Sequence, residues 1–157
     1  MYRLNDSITV RDDVTMITID NFSDNRSVMS DILNQILSMN MDVDIVDYHN
    51  NYKGSKLTIL VENSGILRVT SAVGMFKEKI NGILCDIYCL NTSVTVSFKN
   101  NPMRDAVRII KEFEKKGIEI YHLFSGIGGI TVVINEAYTD RVCDLLIGLT
   151  AGSNKGF

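Results

Sequence analysis

Two periods of hydrophobic and polar positions alternate along this chain, and their order occurs twice. Lys56-Leu-Thr-Ile-Leu-Val-Glu62 returns as Gly129-Ile-Thr-Val-Val-Ile-Asn135, 73 residues later. In the first half, Val14, Met16 and either Ile17 or Ile19 alternate with Thr15 and Thr18, the period of a half-buried strand. A polar loop from Asp20 to Arg26 follows, interrupted by Phe22. Val28, Met29, Ile32, Leu33, Ile36 and Leu37 then recur at helical spacing, and Asn40, which tolerates a left-handed backbone, closes that helix. Met41 to Val46 alternates again, Asn50 to Ser55 predicts a hairpin turn, and Leu57 to Val61 predicts the next strand. Asn63 or Ser64 caps a second helix with the stripe Ile66, Val69, Val73, Phe76 and Ile80. Gly74 weakens the middle of that helix, Gly82 follows it, and Ile83 to Leu90 returns as a strand.

The second half repeats the plan. Ser93 to Phe98 is a strand, Asn100, Asn101 and Pro102 form a loop, and Ala106, Ile109, Ile110 and Phe113 stripe a helix. Lys115, Lys116 and Gly117 close that helix in accord with its dipole. Ile118 to Phe124 and Gly129 to Ile134 read as a hairpin turning through Ser125 to Gly128, and Ala137, Val142, Leu145, Leu146 and Leu149 stripe the last helix. A βαββαβ unit needs a fourth strand, and the second half ends without one. The amino terminus has a spare, Ser7-Ile-Thr-Val-Arg11, placed before Val14 as Asp86 to Leu90 is placed before Val94. Ile8 and Val10 then complete the second sheet, and Ile87 and Cys89 the first. The expected layout is a first unit at 13–90, a second unit at 5–12 plus 91–150, and a frayed tail at 151–157. The pattern describes a pair of ferredoxin-like units.

Composition narrows the class. A chain of 157 residues with 45% hydrophobic and 22% charged residues is globular. Each half alone would be marginal, because a domain of about 60 residues buries only about 60% of its unfolded surface, so the halves are expected to share a core or a continuous sheet. A net charge of −3, with a pI near 5.3 and no basic cluster, argues against nucleic acid and anionic membranes as partners. With neither a basic-then-apolar start nor an apolar run of about 18 residues, the expected location is the cytoplasm, with no membrane partner.

Little catalytic chemistry is visible. Cys85, Cys89 and Cys143 are odd in number, and the first two lie about 13 Å apart along a strand, too far for a disulfide; all three read as buried, inert thiols. His49 and His122 have no ligand-spaced neighbours, so neither a metal nor a cofactor is expected. Ser125 to Gly129 joins two strands instead of opening a helix, which makes it a turn and not a phosphate cradle. Met29, Met39 and Met41 read as core filling. An enzyme on such a sheet would need a convergent acid–base or nucleophile set, and none is apparent.

Taken together, the entry strand with Val-Thr-Met-Ile-Thr-Ile at 14–19, the junction Asn-Met-Asp-Val-Asp-Ile-Val at 40–46, Leu-Thr-Ile-Leu-Val at 57–61 and Gly-Ile-Glu-Ile at 117–120 resemble the regulatory region of aspartokinase, a tandem pair of ACT domains. The likeness runs from about Asn5 to Leu149. It implies an α+β fold of two interlocked ferredoxin-like βαββαβ (ACT) units, with antiparallel sheets and helices on one face. It also implies a non-catalytic regulatory module that binds lysine, threonine or a similar free amino acid between the units for feedback control of amino-acid biosynthesis. The implied partners are that effector, a second copy of the chain in a homodimer, and a kinase catalytic subunit or domain.

A helix amino terminus suits the carboxylate of an amino acid, and a nearby acid suits its ammonium. By resemblance, the ligand-binding positions are Asp24, Asn25, Arg26, Ser27, Val28 and Met29 at the first helix start, with Asp42, Val43 and Tyr48 on the following strand. Met103, Arg104, Glu119 and Ile120 are their counterparts in the second unit. Asp44 also matches an acid common in the family. The family's Asp-Arg/Lys-Pro-Gly loop reads Asp24-Asn25-Arg26-Ser27 here, its strand glutamine falls on Tyr48, and its Ser-Thr-Ser-Glu stretch becomes Phe124-Ser125-Gly126-Ile127. These changes motivate the alternative of an ACT-fold dimerisation module that works without a ligand.

Overall fold

The computed structural model describes residues 1–5, 7–23, 25, 27–97, 102–126 and 129–153. Its elements are β1 (Tyr2–Asn5), β2 (Ile8–Asn21), α1 (Val28–Leu37), β3 (Val43–Asn51), β4 (Gly54–Glu62), α2 (Ile66–Lys77), β5 (Ile83–Val96), α3 (Pro102–Lys116), β6 (His122–Gly126), β7 (Gly129–Asn135) and α4 (Thr139–Ser153). Short 3₁₀ turns at Asn63–Gly65 and Glu136–Tyr138 lead into α2 and α4. The architecture is the expected α+β one, and the chain divides into a first unit, Asp13–Cys89, and a second, Met1–Asp12 with Leu90–Phe157.

In the first unit, β4 pairs antiparallel with both β2 and β3. Ile17↔Ile59 and Ile19↔Leu57 face α1 and α2, whose Val28, Met29, Ile32, Ile36, Val69, Ala72 and Val73 complete the core. In the second unit, β7 pairs antiparallel with β5 and β6, and Val94↔Val132 and Val96↔Ile130 occupy the corresponding places. There Ile8 and Val10, 1% and 0% exposed, pack with Ile109, Phe113, Val142 and Leu146. The repeat extends to the hydroxyls. Thr18 and Thr58 face each other across one ladder at 3.5 Å, and Thr95 and Thr131 across the other at 2.7 Å.

Several boundaries differ from the sequence expectation. The separate strands at 7–11 and 14–19 are one strand, β2, and those at 83–90 and 93–98 are one strand, β5. Each takes one left-handed residue at the unit boundary instead of a loop: Asp13 at φ 55° and Leu90 at φ 60°. For a residue as bulky as Leu90 this conformation is strained. Strand β3 starts at Val43, not Met41, and runs to Asn51, so the turn shrinks to Tyr52-Lys53. A bulge between Ile45 and Asp47 shifts its pairing on β4. Gly54 closes that turn at φ 143°, where a Cβ would lie 2.2 Å from the Asn21 carbonyl oxygen.

Strand β6 begins at His122, not Ile118. Gly117 at φ 63° donates to the Glu114 carbonyl, and Ile118 donates back to Phe113 at 3.0 Å, the Schellman closure that draws Ile118 into the core. Neither Asn63 nor Ser64 caps α2. The intervening 3₁₀ turn puts Gly65 at the cap, and the Asn63 side chain accepts a hydrogen bond from Thr15 instead. The tail begins later than expected, because α4 continues through Ser153. The expected loop at Asn100 and Asn101, the strand end at Phe98, and the turn residues Ile127 and Gly128 lie outside the described residues.

The cysteines are not uniformly buried. Cys143 is buried, Cys85 is half-buried and Cys89 is exposed, because β5 before residue 91 has few residues packed over it. Burial pushes the Cys85 and Cys143 thiols up from their ordinary range. A raised thiol pKa leaves less thiolate at neutral pH, and thiolate is the reacting species. With a disulfide reagent at pH 7.5, Cys89 should therefore react first and the other two more than tenfold more slowly. Raising the pH should narrow the gap, and a Cys89→Ser variant should lose the fast phase.

Candidate functional site

Asn21, 1% exposed at the end of β2, organises the loop that leads into α1. Its amide nitrogen donates to the Asn25 carbonyl at 3.1 Å and approaches the Ser55 hydroxyl at 3.5 Å. Its amide oxygen accepts from the Ser23 main chain at 3.0 Å and from the Ser23 hydroxyl at 2.5 Å. Asn25 repeats the device two residues on, where its side-chain oxygen accepts from the Ser27 main chain at 3.1 Å and from the Ser27 hydroxyl at 2.9 Å. These are the local asparagine bonds that compete with regular structure. The Ser27 hydroxyl also lies 3.1 Å from Asp31, so it makes no capping bond to the first turn of α1.

Between this loop and the β3–β4 turn lies a cleft of about 320 Å³, lined by Asn21, Phe22, Ser23 and residues 50–55. Its lining is rich in amides and hydroxyls, with Lys53 as its cation; the Lys53 ammonium sits 5.7 Å from the centre of the Tyr52 ring. Such a lining can receive a small carboxylate. A second cleft of about 270 Å³, at the α1–β3 junction, is lined by Asn40, Met41, Asp42, Glu62, Ser64, Gly65 and Arg68. Its two carboxylates suit an ammonium. Asparagine and serine clustering at 20–25 and 50–55 is the signal by which the first cleft is legible in the sequence, where those stretches read as turns.

The residues expected to touch a ligand are distributed unevenly. Asn25 and Ser27 join the Asn21 network, and Asp42 lines the second cleft. The side chains of Val28 and Met29 are 0% and 1% exposed, and Val43 packs against the same core, so Val28 and Met29 can meet a ligand only through their main chain. Asp44 is exposed on β3, and Tyr48 stands half exposed opposite Leu57. In the second unit, Met103, Arg104 and Glu119 are exposed, while Ile120 packs on the core. Asp24 and Arg26 lie outside the described residues. One acid was missed by sequence reasoning: Asp105, 2% exposed in the first turn of α3, lies 3.7 Å from the Arg108 guanidinium. Among the described residues, no group of three or more histidine, cysteine or acidic side chains gathers as a metal site, and no helix is long and apolar enough to cross a membrane.

No protein-family profile matches the sequence, and no curated protein is significantly similar to it. Solved structures do share the fold. The ligand-free regulatory subunit of aspartate kinase from Thermus thermophilus superposes with a TM-score of 0.75 at 12% identity, over 90% of this chain and 95% of that one. The aspartokinase alpha and beta subunits give 0.76 at 16% identity, over 90% of this chain and 97% of that one. Aspartate kinase from Synechocystis gives 0.79 at 13% identity, over 93% of this chain and 27% of the enzyme chain. The chain has the fold of aspartate kinase regulatory regions.

The Asn21 network is a specific structural claim about the first cleft. Asn21→Ala removes four hydrogen-bonding contacts at a buried position and should lower the unfolding free energy by about 1–3 kcal/mol in a urea titration. Asn25→Ala, at an exposed position, should cost less.

Proposed function

We propose that this chain is a non-catalytic regulatory module that binds a free amino acid, lysine, threonine or a related one, and transmits that binding to a kinase catalytic subunit or domain. The observation that carries the proposal is the fold's correspondence with a separately made regulatory subunit over nearly the whole of both chains. The first unit adds chemistry of the right kind. A cleft with Lys53 beside hydroxyls and amides suits a carboxylate, and one with Asp42 and Glu62 suits an ammonium. An effector that binds one conformation of the module more tightly than another shifts the balance between them, and the coupling free energy acts equally in both directions. In this reading the module works in the cytoplasm, as a homodimer.

A second reading, a ligand-independent dimerisation module, draws on a different observation. Leu84, Ile87, Tyr88 and Leu90 on β5 are 42–57% exposed, an apolar edge of the sort sheets use to pair. Both readings predict a dimer, so the ligand separates them.

A thermal-shift screen of the intact chain against the twenty amino acids at millimolar concentration makes the test. An effector at about 100 times its dissociation constant adds about 2.7 kcal/mol, a midpoint rise of about 5–10 °C. A response restricted to one or two amino acids supports the regulatory reading. A flat screen with the dimer intact by light scattering would replace it with the dimerisation module.

A further inference from the structure

The helical side of the second unit carries a site of its own. Helices α3 and α4 run antiparallel there, because Arg141 near the start of α4 donates to the Lys116 carbonyl at the end of α3, and Arg108 on α3 reaches the Leu149 carbonyl on α4. Between them lies a groove of about 490 Å³. Its charges are ordered along its length. Lys116 and Arg141, one from each helix, form a basic end. Glu112 and Asp144, again one from each helix, lie four and three residues further along, about 5–6 Å at a helix's rise. Beyond them the lining turns apolar at Leu145 and Gly148. A Cβ built on Gly148 meets nothing within 4 Å, so the absent side chain is what holds this part of the groove open. Among the described residues, no ion pair joins the acids of the groove to Lys116 or Arg141. Glu112 is held ionised by Lys115, which lies beside the groove lining and not in it.

Basic, acidic and then apolar is the order of groups in an α-amino acid with a hydrocarbon side chain. From this we infer that the α3–α4 groove binds a free apolar amino acid of about leucine's size, with its carboxylate on Lys116 and Arg141, its ammonium on Glu112 and Asp144, and its side chain over Gly148 against Leu145. The volume falls within the range of small-molecule pockets. The site lies within the second unit and is separate from the clefts of the first, so it can exist whether or not they bind an effector.

The test is a titration of methyl-labelled intact protein with L-leucine, followed by NMR. The methyl signals of Leu145, Leu149 and Ile118 should move in a saturable way. Isopentylamine, which lacks the carboxylate, and 4-methylpentanoate, which lacks the ammonium, should each bind at least tenfold more weakly. Gly148→Leu fills the groove and replaces a poor helix former with a good one, so it should fold and lose the response. The isosteric surface change Asp144→Asn should weaken binding about tenfold or more and guards against misfolding of the first variant. Unmoved methyls, or binding unchanged in both variants, would overturn the inference. So would a response confined to first-unit methyls such as Val28 and Leu57, which would support the proposed function alone.

Discussion

Everything in this molecule follows from a strand deficit. Each half of the sequence encodes three strands and two amphipathic helices, and two helices cover a four-stranded face. A half left with three strands would expose part of its core to water, a large cost for a domain of this size. The chain resolves this by lending. β2 and β5 are each 14 residues long, and each gives one end to one unit and the other end to the other. Ile8 and Val10 thus enter a core otherwise built from residues after 90.

Lending fixes other features. A strand that serves two units must change course between them, and the change is made at single residues, Asp13 and Leu90, held in the left-handed region. Aspartate accepts this conformation more readily than leucine. The strain at Leu90 is tolerated because paired backbone on either side over-determines it. The repeat fixes the chemistry of the ladders as well, with threonines matched across each at corresponding places. In the proposed function, an effector bound beside Asn21 sits at the end of β2, a strand whose other end belongs to the second unit.

How far this was legible in the sequence depended on the range of the interactions involved. The repeat, the strand bookkeeping, the α1 stop at Asn40 with φ 50° and the Lys-Lys-Gly stop of α3 all rest on periodicity or local backbone chemistry, and a sequence carries those openly. The bulge between Ile45 and Asp47, which lets β3 continue to Asn51, depends on pairing with β4 and left no local mark. Cys89 looked like any strand cysteine, since its exposure depends on what packs beside β5. The Asn21 network was hidden for a similar reason. Asparagines at 21 and 25 announce a turn, but that Asn21 would be buried and bonded toward Ser55 follows from the β2–β4 register. The resemblance-based ligand positions included Val28, Met29 and Val43, whose apolar side chains the core claims, as their helix and strand periods already suggested. The α3–α4 groove requires two helices far apart in sequence to meet with Gly148 between them, which no single-helix pattern reveals.

The lent strand is the central claim, and hydrogen exchange tests it most directly. Protection of individual amides would be compared between the intact chain and one lacking residues 1–12. The account predicts that β7 amides at 129–135 lose protection when Ile8 and Val10 are removed, while β4 amides at 55–62 in the first unit keep theirs. A shortened chain that protects 129–135 as well as the intact one would show that the second unit is complete without its borrowed strand, and would contradict the account.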